Sequence, residues 1–389
     1  MEPVRLGILG CGDIAPVYLN SLRHFQHVRC IRLADVNTAR ARMLGHQWGI
    51  ARTGSPAQLL ADPDVELVLN LTPPKAHYRM ALQALAAGKH IYNEKPLADS
   101  PARGRRVLAA ARRRGLRVGC APATWMGGTW QTCRELIDTG VLGRPVGASL
   151  VWLDRGYETW HPRPRSYYQS GAGPMFDIGP YYVAALVLLF GAVHKVSAFT
   201  STTFPEREIG TGRHRGTRFT IGVADHVAGV VEMANGVLAT ITTSYASWPA
   251  PTDSVQLFGS EATLVLPPAN HLGGPIWMAD ARTQSWRRLT VQHGRTHQRR
   301  WWAIGVAEMS AALRTGRPHR ASGELGLHVL DVLDGLVSSA LDGSARCMDS
   351  KPARPHPLQS GLSRNRQPAP DAVCGGEEGA GTATRGDGS

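Results

Sequence analysis

The chain is predicted to be an α/β protein of two unlike halves: an N-terminal doubly wound parallel sheet, then a C-terminal α+β domain with a large open, mostly antiparallel sheet. Three observations predict this. The 389 residues exceed the roughly 250–300 that one hydrophobic core organises. Residues 1–123 alternate short apolar or β-branched runs with helix-period stretches, whereas residues 146–258 carry consecutive strand-like runs joined by turn residues. Hydrophobic residues make up 43% of the chain and charged residues 19%, enough apolar material to fill two cores and too much for global disorder.

In the first half, strands are expected at residues 4–9, 29–34, 67–71, 90–92 and 117–121, with helices at 38–48, 77–87 and 101–114 among them. Strands separated by helices of this length require right-handed crossovers, hence a parallel sheet, and define a nucleotide-binding domain over 1–123. A helical linker at 128–139 opens the second domain, 124–350. Strands are expected there at 146–153, 193–203, 227–233, 237–245 and 254–258, with Asn235-Gly236 as a hairpin turn. Helices are expected at 175–190, 301–314 and 324–341. From residue 351 the composition turns to Pro, Gly, Ser and Arg with scarcely any large apolar side chain, so 351–389 reads as a disordered tail.

The longest uncharged apolar run, 183–193, falls well short of the ~18 residues of a bilayer span, so no membrane partner is expected. Met1-Glu2-Pro3 leads straight into the first strand without a charged-then-apolar leader, which predicts a cytoplasmic protein. The six cysteines are scattered with no CxxC pair, so reduced thiols and no metal are expected, with Cys30 and Cys120 as core filler. The net charge of +13 raises the possibility of nucleic acid. Much of that excess is seven arginines between residues 103 and 117, where no aromatic side chain is available to stack on bases. A solvated helix face is the reading preferred, with no nucleic-acid partner.

Gly10-Cys11-Gly12-Asp13-Ile14-Ala15 follows the first strand and opens a helix. Gly10 permits the tight turn, Gly12 lets the backbone approach a pyrophosphate, and Ala15 allows close helix–strand packing, with Asp13 and Ile14 between them. Asp35 closes the second strand, where its carboxylate can accept from a ribose 2′-hydroxyl and repel a 2′-phosphate. This Rossmann fingerprint favours NAD as cofactor, although Arg40 lies near enough that NADP is not excluded. Thr72-Pro73-Pro74-Lys75-Ala76-His77 sits at another strand end, where Thr72, Pro73 and His77 are either cofactor contacts or parts of a Pro-stiffened loop. Asn93-Glu94-Lys95-Pro96 follows the next strand, and Lys95 there either meets a nicotinamide edge or is an ordinary surface lysine. Asp177 and Tyr181 are four apart, so on a helix they share a face; a cap and a half-buried aromatic are the plain alternatives.

The order GxGxxA, strand-ending Asp, TPPxxH, EKP and DxGxY resembles the glucose-fructose oxidoreductase, inositol dehydrogenase and MocA family of NAD(P)-dependent oxidoreductases, over roughly residues 4–345. The resemblance implies that Lys95 and Tyr181 act at the nicotinamide, Glu94 belongs to the cofactor side, and Asp177 places a substrate hydroxyl. Many members have His and a further Asp where this chain has Tyr181 and Ala184, which argues against an inositol-dehydrogenase-type histidine mechanism. Tyrosine is similar to the glucose-fructose oxidoreductase and dihydrodiol dehydrogenase branches. Trp160-His161-Pro162-Arg163-Pro164 and Tyr167-Tyr168 fall where that family shapes its pocket, which makes His161 a candidate polyol contact.

The expected activity is therefore hydride transfer between nicotinamide and a secondary alcohol or ketone of a sugar, cyclitol or related polyol. Lys95 and Tyr181 would bracket the reacting oxygen. A lysine cation would favour tyrosinate and burial would favour neutral lysine, so either could accept the proton near neutral pH. The rival reading is a catalytically silent dinucleotide-binding regulator of the same fold, against which the retained EKP lysine argues. A homodimer or homotetramer through the second-domain sheet is expected from the resemblance.

Overall fold

The computed structural model describes residues 1–248, 254–295 and 297–358, apart from the side chains of Gln298 and Arg299. The first half runs β1 (Val4–Leu9), α1 (Ala15–Leu22), β2 (Val28–Ala34), α2 (Thr38–Trp48), β3 (Arg52–Gly54), α3 (Pro56–Ala61), β4 (Leu67–Asn70), α4 (Pro74–Ala86), β5 (His90–Asn93), α5 (Pro101–Arg113) and β6 (Val118–Cys120). Its strands form one parallel sheet in the order β3-β2-β1-β4-β5-β6, and the order reverses between β1 and β4. In such sheets ligands bind at the carboxyl ends of the strands beside that reversal, which is where the glycine loop and the TPP and EKP segments lie. Edge strand β3 and helix α3 are not foreseen from sequence, because three residues carry no readable alternation and six are under two helical turns.

Side chains alternate across each strand, and both faces are buried. Val4, Leu6 and Ile8 pack in one core, while Leu9, Val68 and Ile91 pack in another with Met80, Ala84 and Val107 of α4 and α5. The arginines of α5 lie on its outer side, where Arg105 reaches Asp331 and Arg112 reaches Glu324.

The second half comprises α6 (Gly128–Asp138), β7 (Pro145–Leu153), α7 (Pro174–Phe190), β8 (Val193–Ser201), β9 (Glu206–Glu208), β10 (Arg218–Thr220), β11 (His226–Met233), β12 (Leu238–Ser244), β13 (Val255–Gly259), β14 (Ala262–Leu266), β15 (Ile276–Asp280), β16 (Arg287–Leu289), α8 (Gln298–Trp301), α9 (Ile304–Thr315), α10 (Gly323–Asp342) and β17 (Arg346–Cys347). Nine strands form an open sheet in the order β16-β15-β14-β13-β7-β12-β11-β8-β17. Every pair is antiparallel except β7 with β12. Register puts Val196, Val231, Ala239, Ala148, Leu257, Leu264 and Met278 in one buried row facing α7 and α10. The row set on the opposite face carries exposed Val230 and Trp277, and Phe199 and Leu238 lie exposed beside it. Helix α7 is apolar almost all round because it is buried almost all round, which accounts for the run at 183–193. No helix among the described residues is long and apolar enough to cross a membrane.

Two expectations are corrected. Helix α9, assigned by sequence order to the second domain, packs on β1, β2 and β6 of the first sheet, and Arg314 at its end pairs with Glu66 through two 2.8 Å contacts. The chain thus returns, after the nine-stranded sheet, to pack on the first sheet. Second, residues 351–358 of the expected disordered tail are docked. Arg354 donates to the Leu188 carbonyl at 2.8 Å and Asp138 at 2.8 Å, the Leu358 N–H donates to Gln131 at 2.7 Å, and the Leu358 side chain is buried. Charge-assisted bonds to helix-end carbonyls order this segment without apolar periodicity. Residues 359–389, with Cys374, lie outside the described residues.

Candidate active site

The turn from β1 into α1 is shaped by two glycines with different duties. Gly10 has φ +103°, and a Cβ there would lie 2.7 Å from the Leu71 carbonyl, so backbone geometry and space both require glycine. A Cβ on Gly12 would meet nothing within 4 Å, so its Cα borders open space. Helix α1 begins at Ala15 with no side-chain cap at Ile14, and because Ala15 N–H donates to the Gly12 carbonyl at 3.1 Å and Pro16 has no N–H, what the turn offers an anion is the open space beside Gly12 and the positive end of the helix rather than a row of free donors. An open glycine beside an uncapped helix start fits the pyrophosphate of a dinucleotide. Asp35 accepts from the Cys11 and Asn37 N–H groups, each at 2.8 Å, which fixes its carboxylate at the mouth of this turn. Asp13 is exposed, 3.6 Å from the Arg163 guanidinium of the second domain. Burial and Asp35 push the Cys11 thiol up to about 12, so it stays protonated.

Pro73 caps α4, and Thr72 Oγ1 donates to Asn70 at 2.7 Å. His77 is 1% exposed, with Nδ1 2.7 Å from the Pro96 carbonyl and Nε2 2.7 Å from the Thr72 carbonyl. Its ring has no face left for a cofactor; it ties the TPP loop to the EKP loop, which is the loop-stiffening reading of the two. Glu94 also joins elements, accepting from the Tyr18 hydroxyl at 2.6 Å and the Lys95 N–H at 2.9 Å.

Lys95 reaches across to α7. Its Nζ lies 2.5 Å from Asp177 Oδ1 and 2.6 Å from the Asp177 carbonyl oxygen. Asp177 Oδ2 accepts from Tyr157 at 2.5 Å and Tyr245 at 3.0 Å. Gly173 occupies the N-cap of α7, so Asp177 sits in the first turn rather than serving as the cap, and Tyr181 follows one turn later on the same face. Lys95 Nζ is 5.4 Å from the Tyr181 ring centre. The Tyr181 hydroxyl has no hydrogen bond among the described residues. Lys95, Asp177 and Tyr181 line a cavity of about 340 Å³ with Tyr157, His271 and Trp302.

Protonation states follow from these contacts. Burial opposes the charge on Lys95, but the adjacent Asp177 carboxylate outweighs it and holds the ammonium above the ordinary lysine range. Burial pushes Asp177 up, and Lys95 with the two phenols more than reverses it, leaving a carboxylate. Burial pushes Tyr181 well above the ordinary phenol range, and Lys95 offsets only part of that. The expectation of a neutral lysine or a ready tyrosinate near neutral pH is therefore overturned: a carboxylate in contact, absent from the sequence argument, captures the lysine charge.

His161 does not line this cavity. It lines a neighbouring one of about 650 Å³ with Asp13 and Arg163, and the Arg163 N–H donates to its Nδ1 at 3.1 Å. Tyr157 and Tyr167, stacked at 3.9 Å and 18°, contribute one ring to each cavity. Tyr157, Tyr245, His271 and Trp302 were missed by sequence reasoning. The aromatic density from Tyr157 to Tyr168 was a usable signal; Tyr245 at a strand end carried none.

Residues 4–121 match the family model described as an oxidoreductase family with an NAD-binding Rossmann fold, and residues 130–265 match the GFO/IDH/MocA C-terminal domain. Similar proteins include D-glucoside 3-dehydrogenase of Escherichia coli, 30% identical over 63% of this chain and 71% of its own length. Trans-1,2-dihydrobenzene-1,2-diol dehydrogenase of Mus musculus is 30% identical over 63% of this chain and 69% of its own. Among solved structures, an NAD binding oxidoreductase from Klebsiella pneumoniae superposes with a TM-score of 0.80 at 20% identity, covering 90% of this chain and all of the other.

Proposed function

The chain belongs to the GFO/IDH/MocA family of oxidoreductases with an NAD-binding Rossmann domain, and from that premise we propose that it transfers hydride between the nicotinamide and a secondary alcohol or ketone of a sugar, cyclitol or related polyol. The observation that carries this reading is the Lys95–Asp177 ion pair beside Tyr181 on the wall of one cavity. A sugar relative such as the glucoside 3-dehydrogenase supports the substrate class.

Bound NAD supplies the hydride acceptor or donor; proton handling and orientation belong to the protein. An ammonium has three donors, and two of those on Lys95 are spent on Asp177. The third is left for the substrate oxygen, near Tyr181, whose hydroxyl has no hydrogen bond among the described residues. Two donors aimed at one oxygen stabilise the charge it develops. In carbonyl reduction the oxygen takes its proton from Tyr181 as hydride reaches the carbon. In alcohol oxidation the hydroxyl proton passes to Tyr181 in its phenolate form as hydride leaves the carbinol carbon. With Tyr181 neutral at pH 7, the resting site suits reduction.

The fixed Asp35 carboxylate favours NAD over NADP by charge repulsion. Parallel fluorescence titrations with NADH and NADPH, followed by a screen of glycosides, anhydro sugars and cyclitols, test the whole reading. Expected are tighter NADH binding and turnover of at least one secondary alcohol or ketone that Lys95→Met abolishes. NADH binding without any turnover would leave the silent regulator in its place.

The uncovered face of the nine-stranded sheet, with Phe199, Val230, Leu238 and Trp277 exposed, supports assembly through that face into a dimer or tetramer.

A further inference from the structure

Behind the two phenols that hold Asp177 lies a buried charge cluster, none of whose three charged side chains lines the catalytic cavity. Arg207 on β9 is 5% exposed, Glu158 7% and Asp225 0%. Arg207 donates from Nη1 to Glu158 at 2.6 Å and to the Tyr245 carbonyl at 3.0 Å, and from Nη2 to Asp225 at 2.7 Å. Two arms run from this cation toward Asp177. On one, Glu158 accepts from the Tyr168 hydroxyl, whose oxygen in turn accepts the Tyr157 N–H at 3.1 Å. On the other, Arg207 grips the Tyr245 carbonyl while the Asp225 carbonyl accepts the Tyr245 N–H at 2.7 Å. Both tyrosines end on the same carboxylate oxygen, Asp177 Oδ2. Gly156 makes room for the cluster: its φ is +105°, and a Cβ there would lie 2.3 Å from the Tyr168 hydroxyl and 2.4 Å from the Glu158 carboxylate.

One cation between two anions, almost out of water, is poor economy as a source of stability, because desolvation offsets the attraction between the charges. What such a cluster does supply is fixed geometry at its ends. We propose that Arg207, Glu158 and Tyr168 are positioning residues: they set the Tyr157 and Tyr245 hydroxyls on Asp177 Oδ2, which leaves Oδ1 for Lys95 and turns the third Lys95 N–H toward the substrate oxygen. This rests on the reading of Lys95 and Asp177 as the catalytic pair.

The test is Tyr168→Phe in the full chain, which cuts the first arm, changes no charge and lies outside the catalytic cavity. Expected is a fall in kcat of roughly ten- to a hundredfold, the scale of a small misplacement of reacting groups, with KM within about twofold and NADH affinity unchanged. Because both changes act through one arm, Tyr157→Phe/Tyr168→Phe should be no slower than Tyr157→Phe alone. Glu158→Gln, which keeps shape and loses charge, should reproduce the kcat loss and couple to Tyr157→Phe in the same way. Wild-type kcat in Tyr168→Phe, or losses that simply multiply in the double variant, overturns the positioning role. Lys95→Met is run beside them: if it stays active the catalytic reading fails, and if it is dead while Tyr168→Phe is unaffected only this inference fails.

Discussion

Lys95 Nζ and Asp177 Oδ1 stand 2.5 Å apart across 82 residues of sequence, the one from the loop after β5 and the other from the first turn of α7. The contact joins the Rossmann half to the second half and fixes the charge state of both partners. Side-chain exposures of 16% and 14% mean that water screens it little.

Removing either partner should be felt in turnover before it is felt in cofactor binding. Lys95→Met is expected to lower kcat by at least about a hundredfold while NADH affinity, which we assign to the glycine turn and Asp35, stays within about twofold. Asp177→Asn should lower kcat too and bring the lysine pKa down, because the carboxylate that raises it is gone. Steady-state kinetics beside NADH titration check both; unchanged kcat in both variants would remove them from the site.

With Tyr181 as the proposed proton donor and acceptor, the two directions are expected to show opposite pH profiles. Burial raises its pKa above the ordinary phenol range, so the protonated donor persists through neutrality and carbonyl reduction should be flat there. Alcohol oxidation needs the phenolate, whose fraction grows about tenfold per pH unit below the pKa, so that rate should keep climbing into the alkaline range. Tyr181→Phe should abolish the climb and cost about a hundredfold in rate. An oxidation rate that levels off near pH 7 would rule out Tyr181 as the acceptor.

The two glycines of the first turn should separate stability from binding. Gly10→Ala forces a Cβ to 2.7 Å from the Leu71 carbonyl at φ +103° and should destabilise by about 3 kcal/mol or more. Gly12→Ala meets nothing, so its thermal midpoint should stay near wild type while NADH affinity falls at least about tenfold, because the methyl enters the space the pyrophosphate needs. Thermal melts paired with NADH titrations read both effects.

Phe199 is 78% exposed on the uncovered sheet face. Phe199→Asp should leave the monomer fold intact and shift sedimentation toward the monomer; a monomeric wild-type protein, or an assembly indifferent to this change, would locate any interface elsewhere.

Most of the first domain was legible in the chain because its information is local. Alternating apolar runs separated by helix-length segments limit the sheet to parallel crossovers, and the glycine turn, the strand-ending Asp35 and the EKP loop follow their strands directly. The spacing of Asp177 and Tyr181 likewise put them on one helix face whatever surrounds the helix. Short edge strands such as β3, β16 and β17 escaped, since two or three residues carry no period, and the docking of residues 351–358 rests on arginine bonds to carbonyls that no periodicity marks.

Tertiary structure alone decided the charge of Lys95, the partners of Asp177 and the return of α9 to the first sheet. Tyr157 and Tyr245 lie 20 and 68 residues from Asp177, on a loop and at a strand end, and only folding brings their hydroxyls onto one oxygen. A sequence can state which side chains titrate and which share a helix face. Which of them meet inside a low-dielectric wall depends on how the second domain closes over the first, and that meeting sets their protonation states.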